Sequence, residues 1–302
     1  MTERITKSIK RLKKEKKAII LVHNYQIPEV QDIADYLGDS LELSLIASRT
    51  EAKVIVFCGV KFMAETAAIV CPDKKVLLPD INAGCPMADM VRPEELRELK
   101  AKHPEAIVVC YVNTSADVKA ESDICCTSAN SVKIVNSIPR EKQIIFIPDQ
   151  YLADYTARKT QRKLIIWEGY CPIHLKITAE GILRQKQKYP GSVSIVHPEC
   201  TPQVIDIADE VGSTSAIMRF AKETKAKKII IGTEIGIIYR LKKENPDKDF
   251  YPADEKAICS NMKLITLEKI LWSLEDEKNE VKVEERIRRK AFSAVQKMLE
   301  TK

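Results

Sequence analysis

The stretch Ile19-Ile20-Leu21-Val22-His23-Asn24-Tyr25 decides the fold, because it recurs twice. Its counterparts are Ile107-Val108-Val109-Cys110-Tyr111-Val112-Asn113 and Val193-Ser194-Ile195-Val196-His197-Pro198-Glu199. Each is a short β-branched run ending in polar residues, the pattern of a buried strand. A helix-like segment follows, then a turn carrying a hydroxyl: Gly38-Asp39-Ser40, Cys126-Thr127-Ser128 and Gly212-Ser213-Thr214. The hydroxyl stands 17 positions beyond the strand end every time (23 to 40, 111 to 128, 197 to 214).

Further stations keep the same register. A second apolar strand comes at 54–57, 144–147 and 229–231, and a third strand region leads into a cysteine. Those cysteines lie in Asn82-Ala83-Gly84-Cys85-Pro86, Glu168-Gly169-Tyr170-Cys171-Pro172 and Lys256-Ala257-Ile258-Cys259-Ser260. Nine residues on, Glu94, Glu180 and Glu268 each open an amphipathic helix. The cysteines are 86 and 88 residues apart, the hydroxyls 88 and 86. Such a unit is far longer than a solenoid repeat; it is a β-α-β-α-β-α block used three times.

Strands alternating with helices imply parallel sheets covered on both faces. The predicted fold is therefore α/β, with three homologous three-layer αβα domains about a pseudo-threefold axis. Their bounds are 1–104 (with Cys85), 105–190 (with Cys171) and 191–302 (with Cys259 and the C-terminal helices). Ligands of such sheets bind outside the carboxyl ends of the strands, where every repeated polar residue falls. Three blocks would aim three such edges at one centre.

Composition narrows the function. Of 302 residues, 45% are hydrophobic and 30% charged, enough for a packed core. The formal charge of +6 is spread along the chain, which argues against a nucleic-acid binder and suits small anionic substrates. No apolar run approaches the ~18 residues needed to cross a bilayer. The Lys-rich amphipathic stretch at 6–17 reads as a solvated first helix, and a cytoplasmic protein is expected. Nine cysteines, an odd number, disfavour a disulfide framework. Neither GxGxxG nor GxxxxGK[ST] occurs among only nine glycines, so dinucleotide and P-loop chemistry lose their usual support.

A single cysteine at a strand end is ordinarily a small buried hydrophobe, but one at the same station of every repeat points to a shared task. Three thiolates on one axis lack the fourth ligand and the CxxC spacing of structural zinc. They suit a [4Fe–4S] cluster, with one iron free of protein ligands and open to act as a Lewis acid. Ser40, Ser128 and Thr214 would each begin a helix, as N-caps, as anion sites or as both. His23, Tyr25, Tyr111, Asn113, His197 and Glu199 would ring the same cavity and supply proton chemistry. Glu199 is the choice for general acid/base, on the ground that burial brings a carboxyl nearer neutrality. His174 either reaches the site or is an ordinary buried histidine; His103 reads as surface. Cys125-Cys126 reads as a buried pair without redox function, and Cys58, Cys71, Cys110 and Cys200 as packing residues.

The chain resembles the quinolinate synthase family, condensing enzymes of de novo NAD biosynthesis. The resemblance rests on His23-Asn24-Tyr25-Gln26, Gly38-Asp39-Ser40, Gly84-Cys85-Pro86-Met87, Tyr111-Val112-Asn113-Thr114-Ser115, Cys171-Pro172-Ile173-His174, His197-Pro198-Glu199-Cys200 and Cys259-Ser260-Asn261-Met262. It implies condensation of iminoaspartate with dihydroxyacetone phosphate to quinolinate, phosphate and two waters, on a [4Fe–4S] cluster held by Cys85, Cys171 and Cys259. It places substrate contacts on His23, Ser40, Tyr111, Val112, Asn113, Ser128, His197, Pro198, Glu199 and Thr214, and adds Tyr25 as an active-site tyrosine. An L-aspartate oxidase or dehydrogenase would supply the imine; neither nucleic acid nor membrane is an implied partner. Asn24 stands where many relatives carry an aromatic residue, and the C-terminal CxxCxxC of some longer members is missing.

Two other classes compete. An iron–sulfur reductase or radical enzyme of similar plan would need delivered electrons or S-adenosylmethionine. A non-catalytic iron–sulfur sensor would not need His, Tyr and Glu at the strand ends.

Overall fold

Twelve short strands form three separate four-stranded sheets in the computed structural model, which describes residues 2–301. The first sheet contains β1 (Ala18–His23), β2 (Tyr36–Gly38), β3 (Val54–Cys58) and β4 (Lys75–Leu77). The second contains β5 (Ile107–Tyr111), β6 (Ile124–Cys126), β7 (Ile144–Ile147) and β8 (Ile165–Ile166). The third contains β9 (Val193–Val196), β10 (Glu210–Val211), β11 (Lys228–Gly232) and β12 (Asp249–Pro252). All three share one strand order, β2-β1-β3-β4 and its equivalents, and every pairing within them is parallel.

The sequence reading had three strands per unit; the fourth is the short β2, β6 or β10. These have only two or three residues at a sheet edge, and Tyr36 of β2 is 47% exposed. They fix the 17-residue spacing. His23 pairs with Gly38, Tyr111 with Cys126 and Val196 with Val211, so each hydroxyl turn begins beside the end of its central strand. The central pairs are also in register, with Val22 opposite Cys58, Cys110 opposite Ile147 and Val196 opposite Gly232.

The inner strands are buried on both faces, as parallel sheets between helices require. Alternation is plain in β11: Ile229 and Ile231 join the main core, while Ile230 joins a smaller one with Val196, Val204 and Ile182. The expected first helix forms over Thr2–Glu15, with Ile9 and Leu12 buried along one stripe.

The helix after each cysteine crosses to the next sheet. Pro93–Lys102 packs on Ala116–Ala120 of the second unit, and Ala179–Lys188 on β11 and Pro202–Ile207 of the third. Leu267–Asp276 packs on Thr2–Glu15 and β3 of the first. The last helix, Glu285–Glu300, buries Ala291, Ala294, Val295 and Met298 and lies on β6, Ala116–Ala120 and Lys61–Val70, across the first and second units. Each unit thus lends a helix to the next, and the third lends one back to the first. Among the described residues no helix is long and apolar enough to cross a membrane.

Candidate active site

One cavity lies where the strand ends of the three sheets meet. His23, Tyr25, Ser40, Cys85, Tyr111, Asn113, Ser128, Cys171, His197, Glu199, Thr214 and Cys259 all line it. His174, left open by the sequence, lines it too. Val112 and Pro198 are buried but do not line it; the Val112 N–H donates to Cys126 O within the sheet edge.

The hydroxyl turns differ from the capping expectation. Asp39 caps the helix Ser40–Arg49, its carboxylate accepting from Leu41 and Glu42 N–H in a capping box with Glu42. Ser213 caps Thr214–Glu223, and the helix after Ser128 starts only at Ser131. A cap needs extended backbone just outside the helix, which Asp39 and Ser213 have. Ser40 and Thr214 are first-turn residues whose hydroxyls are free for other work. Thr214 Oγ1 accepts from Asn24 Nδ2 at 3.1 Å, and the Asn24 amide is itself oriented by Arg240 Nη1 donating to Oδ1 at 3.0 Å. That leaves the Thr214 O–H as a donor for an anion.

Backbone geometry sets the two strand-end histidines. Tyr25 N–H donates to His23 Nδ1 (3.2 Å) and Glu199 N–H to His197 Nδ1 (3.3 Å). Both rings therefore carry their proton on Nε2; His197 points it at Ser128 Oγ, 3.1 Å away. Burial pushes both histidines down to about 3, Lys263 assisting at His23, so both are neutral donors at physiological pH.

Glu199, 3% exposed, sits between Tyr111 and His174. Tyr111 O–H donates to Oε1 at 2.5 Å, and His174 Nδ1 is 2.7 Å from Oε2 in a close but bent contact. Burial alone would push the carboxyl up, as the sequence reading assumed. His174 and the Tyr111 O–H, each against one of its oxygens, outweigh it and hold Glu199 below the usual carboxylate range. The resting group is a carboxylate, a base. Burial and this negative charge push the Tyr111 and Tyr25 phenols up, so both keep their protons.

The three cysteines share one local design. Each precedes a 3₁₀ turn, at Ala88–Met90, His174–Lys176 or Met262–Leu264. Backbone N–H groups two and three residues on face each sulfur: Met87 and Ala88 for Cys85, Ile173 and His174 for Cys171, Asn261 and Met262 for Cys259. These N–H groups favour thiolate, but burial outweighs them, pushing Cys85 up to about 12 and raising Cys171 and Cys259. Cys85 also feels Cys259, and Cys171 feels Cys85, so the sulfurs share one electrostatic environment. A cationic group that takes three thiolates, each already supplied with N–H donors, fits this wall. A single ion fits the three sulfurs less well, because among the described residues only Cys171, His174 and Glu199 bring ligand atoms within 4.8 Å of one another. The arrangement is consistent with an iron–sulfur cofactor. Cys58, Cys71, Cys110, Cys125, Cys126 and Cys200 are at most 1% exposed and lie in the core, and His103 ends a helix outside the cavity.

Sequence reasoning missed four residues. Glu234, 1% exposed, accepts the Cys259 N–H at 3.1 Å and pairs with Lys263 at 2.8 Å; Asp149, fully buried, accepts from Leu152 N–H at 2.7 Å, close to the Cys171 backbone. Thr233 bridges Tyr25 and His174. Asp149 and Glu234 occupy one station, two residues beyond the equivalent strand positions Ile147 and Gly232, and a wider repeat alignment would have exposed the pair.

Three αβα sheets converging on a cavity with a three-thiol wall and a neutral-histidine, carboxylate and tyrosine ring define a multidomain α/β enzyme for small anions. Residues 7–300 match the family model described as Quinolinate synthetase A protein. A quinolinate synthase of Dehalococcoides mccartyi (strain CBDB1) is 56% identical over 297 residues, 98% of each chain. That of Thermodesulfovibrio yellowstonii is 55% identical over 300 residues, 99% of each, and that of Methanosarcina barkeri 53% over 294, covering 97% of this chain and 96% of its own. The chain belongs to the quinolinate synthase family, and its activity is quinolinate synthesis in NAD biosynthesis. A solved E-1-hydroxy-2-methyl-but-2-enyl-4-diphosphate reductase from Plasmodium falciparum aligns at 11% identity and TM-score 0.36 over 92% of this chain and 95% of its own, a likeness that bears on neither fold nor function.

Proposed function

We propose that the chain condenses iminoaspartate with dihydroxyacetone phosphate on a [4Fe–4S] cluster held by Cys85, Cys171 and Cys259, one thiolate from each of the units 1–104, 105–190 and 191–302. The observation that carries this is the meeting of three sulfurs from three sheets with the proton-handling ring in one cavity. When bound, the cluster supplies a Lewis-acidic iron that has no protein ligand.

The side chains do the rest. Ser40, Ser128, Thr214 and Asn113 hold the two carboxylates and the phosphate; the buried Asn113 Oδ1 has no partner among the described residues and is left for a substrate donor. Nε2–H of His23, and that of His197 once Ser128 turns to the ligand, donate without adding positive charge. Glu199, a carboxylate at rest, takes protons from the condensing carbon and nitrogen and returns them as the leaving oxygens depart. Phosphate leaves, the nitrogen closes on the carbonyl, and loss of two waters completes the pyridine dicarboxylate with no net redox change. The imine would come from an L-aspartate oxidase or dehydrogenase in the cytoplasm.

Anaerobic assay of the reconstituted chain tests this reading. Quinolinate formed from the two substrates without reductant, with four irons per chain, supports it. Turnover only with a reductant or S-adenosylmethionine would favour a redox or radical enzyme, and full iron content with no response to any small acid would favour a sensor.

A further inference from the structure

The three hydroxyl turns are alike in sequence but differ in what stands behind them. Ser128 Oγ faces His197 Nε2 at 3.1 Å, and both residues line the cavity, so a bound anion can draw either away from the other. Thr214 is held from behind. Its Oγ1 accepts from Asn24 Nδ2 at 3.1 Å, and Asn24 is fully buried and lies outside the cavity lining. Asn24 Oδ1 accepts from Arg240 Nη1 at 3.0 Å, and the same nitrogen donates to the Leu37 carbonyl at 2.9 Å, just before the Gly38-Asp39-Ser40 turn. Arg240 Nε donates to Glu244 Oε1 at 2.6 Å, so an outer carboxylate accompanies the guanidinium charge.

The direction of each bond follows from the end that cannot reverse. A guanidinium only donates, so it fixes the Asn24 amide with its oxygen toward Arg240 and its nitrogen toward Thr214. Thr214 Oγ1 therefore accepts there, and its O–H must point elsewhere. Ser213 already caps the helix Thr214–Glu223 by accepting the Ala216 N–H, which leaves the Thr214 hydroxyl out of the capping. The equivalents of Asn24 in the other two units are Val112 and Pro198, which carry no side-chain donor. This arrangement belongs to the Thr214 turn alone.

We infer that Asn24 and Arg240 are positioning residues that keep the Thr214 hydroxyl a donor to a substrate anion, a carboxylate or a phosphate, and so set affinity more than rate. Neither touches a reacting atom. Their effect is one of hydrogen-bond direction. Asn24→Asp keeps the shape and the Arg240 contact, but both oxygens of the new carboxylate accept, so Thr214 turns its O–H toward it and away from the anion. Arg240→Met releases the amide, which then turns its oxygen to Thr214 with the same result. The inference rests on the proposed condensation for the identity of the anion.

The test is calorimetric titration of the iron-loaded full chain with quinolinate and, separately, with inorganic phosphate, alongside KM and kcat. A hydrogen bond to a charged group is worth about 10- to 100-fold, so Asn24→Asp should weaken at least one probe by about tenfold or more. Arg240→Met should weaken the same probe by a smaller factor, with iron content unchanged in both. Loss confined to quinolinate assigns a carboxylate to Thr214, and loss confined to phosphate assigns the phosphate. KM for one substrate should rise with the affinity loss while kcat changes by less than about threefold. The Thr214→Val background separates direction from charge: with no hydroxyl left to turn, Asn24→Asp should there cost less than about threefold more. An undiminished loss in that background, or parent affinity for both probes in Asn24→Asp and Arg240→Met, overturns the inference. So does a fall in kcat with KM unchanged. A loaded parent chain that binds neither probe and makes no quinolinate would instead overturn the proposed function, a separate result.

Discussion

Replacing Glu199 by Gln tests the role given to the one buried carboxylate that touches both Tyr111 and His174. Shape is conserved, and the Gln carbonyl can still accept the Tyr111 O–H across the present 2.5 Å. The change falls on the other oxygen. An amide N–H placed there faces His174 Nδ1 at about the present 2.7 Å, so the imidazole must present a lone pair to it. The base is removed. General acid–base groups contribute about 10²–10⁴-fold, or roughly 2.7–5.4 kcal/mol of barrier, and kcat should fall by that amount. KM should fall or stay level, because a negative charge has left a cavity that binds carboxylates and phosphate. The thiols are untouched, so iron and sulfide per chain should match wild type. Anaerobic initial rates, with iron and sulfide assays on the same samples, check all three. Normal turnover, or a raised KM with unchanged kcat, would refute the base assignment.

Cys85→Ala, Cys171→Ala and Cys259→Ala should each lose iron, while the core substitutions Cys58→Ala and Cys200→Ala should retain it, read by iron content and visible absorbance. Two glycines beside ligand cysteines should behave oppositely. A Cβ on Gly169 would sit 2.4 Å from the Pro148 carbonyl oxygen, so Gly169→Ala must displace the Cys171 loop and lower iron content; nothing lies closer than 3.9 Å to a Cβ on Gly84, so Gly84→Ala should load normally. Glu277 is held down to about 2 by hydrogen bonds from Lys16 and Lys75. A carboxylate depressed by folding stabilises above its unfolded pKa of about 4.3, and the gain is lost as pH falls toward the folded value. Glu277→Gln should therefore lower the melting temperature by about 1–3 °C near pH 7, with the gap closing between about pH 4 and pH 2; a gap that persists at pH 2 would show the loss is not electrostatic.

The sequence disclosed most of what repeats, the Asp149 and Glu234 station being the exception. Strand ends, hydroxyl turns and cysteines recur in register, and that was enough to place twelve of the cavity's residues before any coordinates. What it hid is local or pairwise. The edge strands β2, β6 and β10 have only two or three residues each, too short a run to show a strand period. Asp39 and Ser213 take the caps one residue before the hydroxyls that looked like caps, a matter of backbone angles that composition does not encode. The direction at Glu199 could not be read from burial, because His174 and Tyr111 come from different places in the chain and decide the sign together. Thr233 has no polar counterpart at its station, where the other units carry Pro148 and Gly59, so repetition could not reveal it.

Almost every contact that gives the site its chemistry crosses from one unit to another. Asn24 of the first orients Thr214 of the third, and Tyr25 of the first meets Thr233 of the third. Tyr111 and His174 of the second meet Glu199 of the third, and Ser128 of the second meets His197 of the third. The helices after the cysteines are exchanged in the same cyclic sense, each packing on the following unit. A unit taken by itself would lack both the helix lent by its neighbour and the cross-unit partners just named. The third unit takes part in all these contacts, and its apolar packing is shared as well, because Ile177 and Ile182 of the second unit cluster with Val196, Val204 and Ile230 of the third. Proton chemistry and thiol convergence are consequently properties of the assembled triplet, created when three ordinary strand-end crevices are closed against one another.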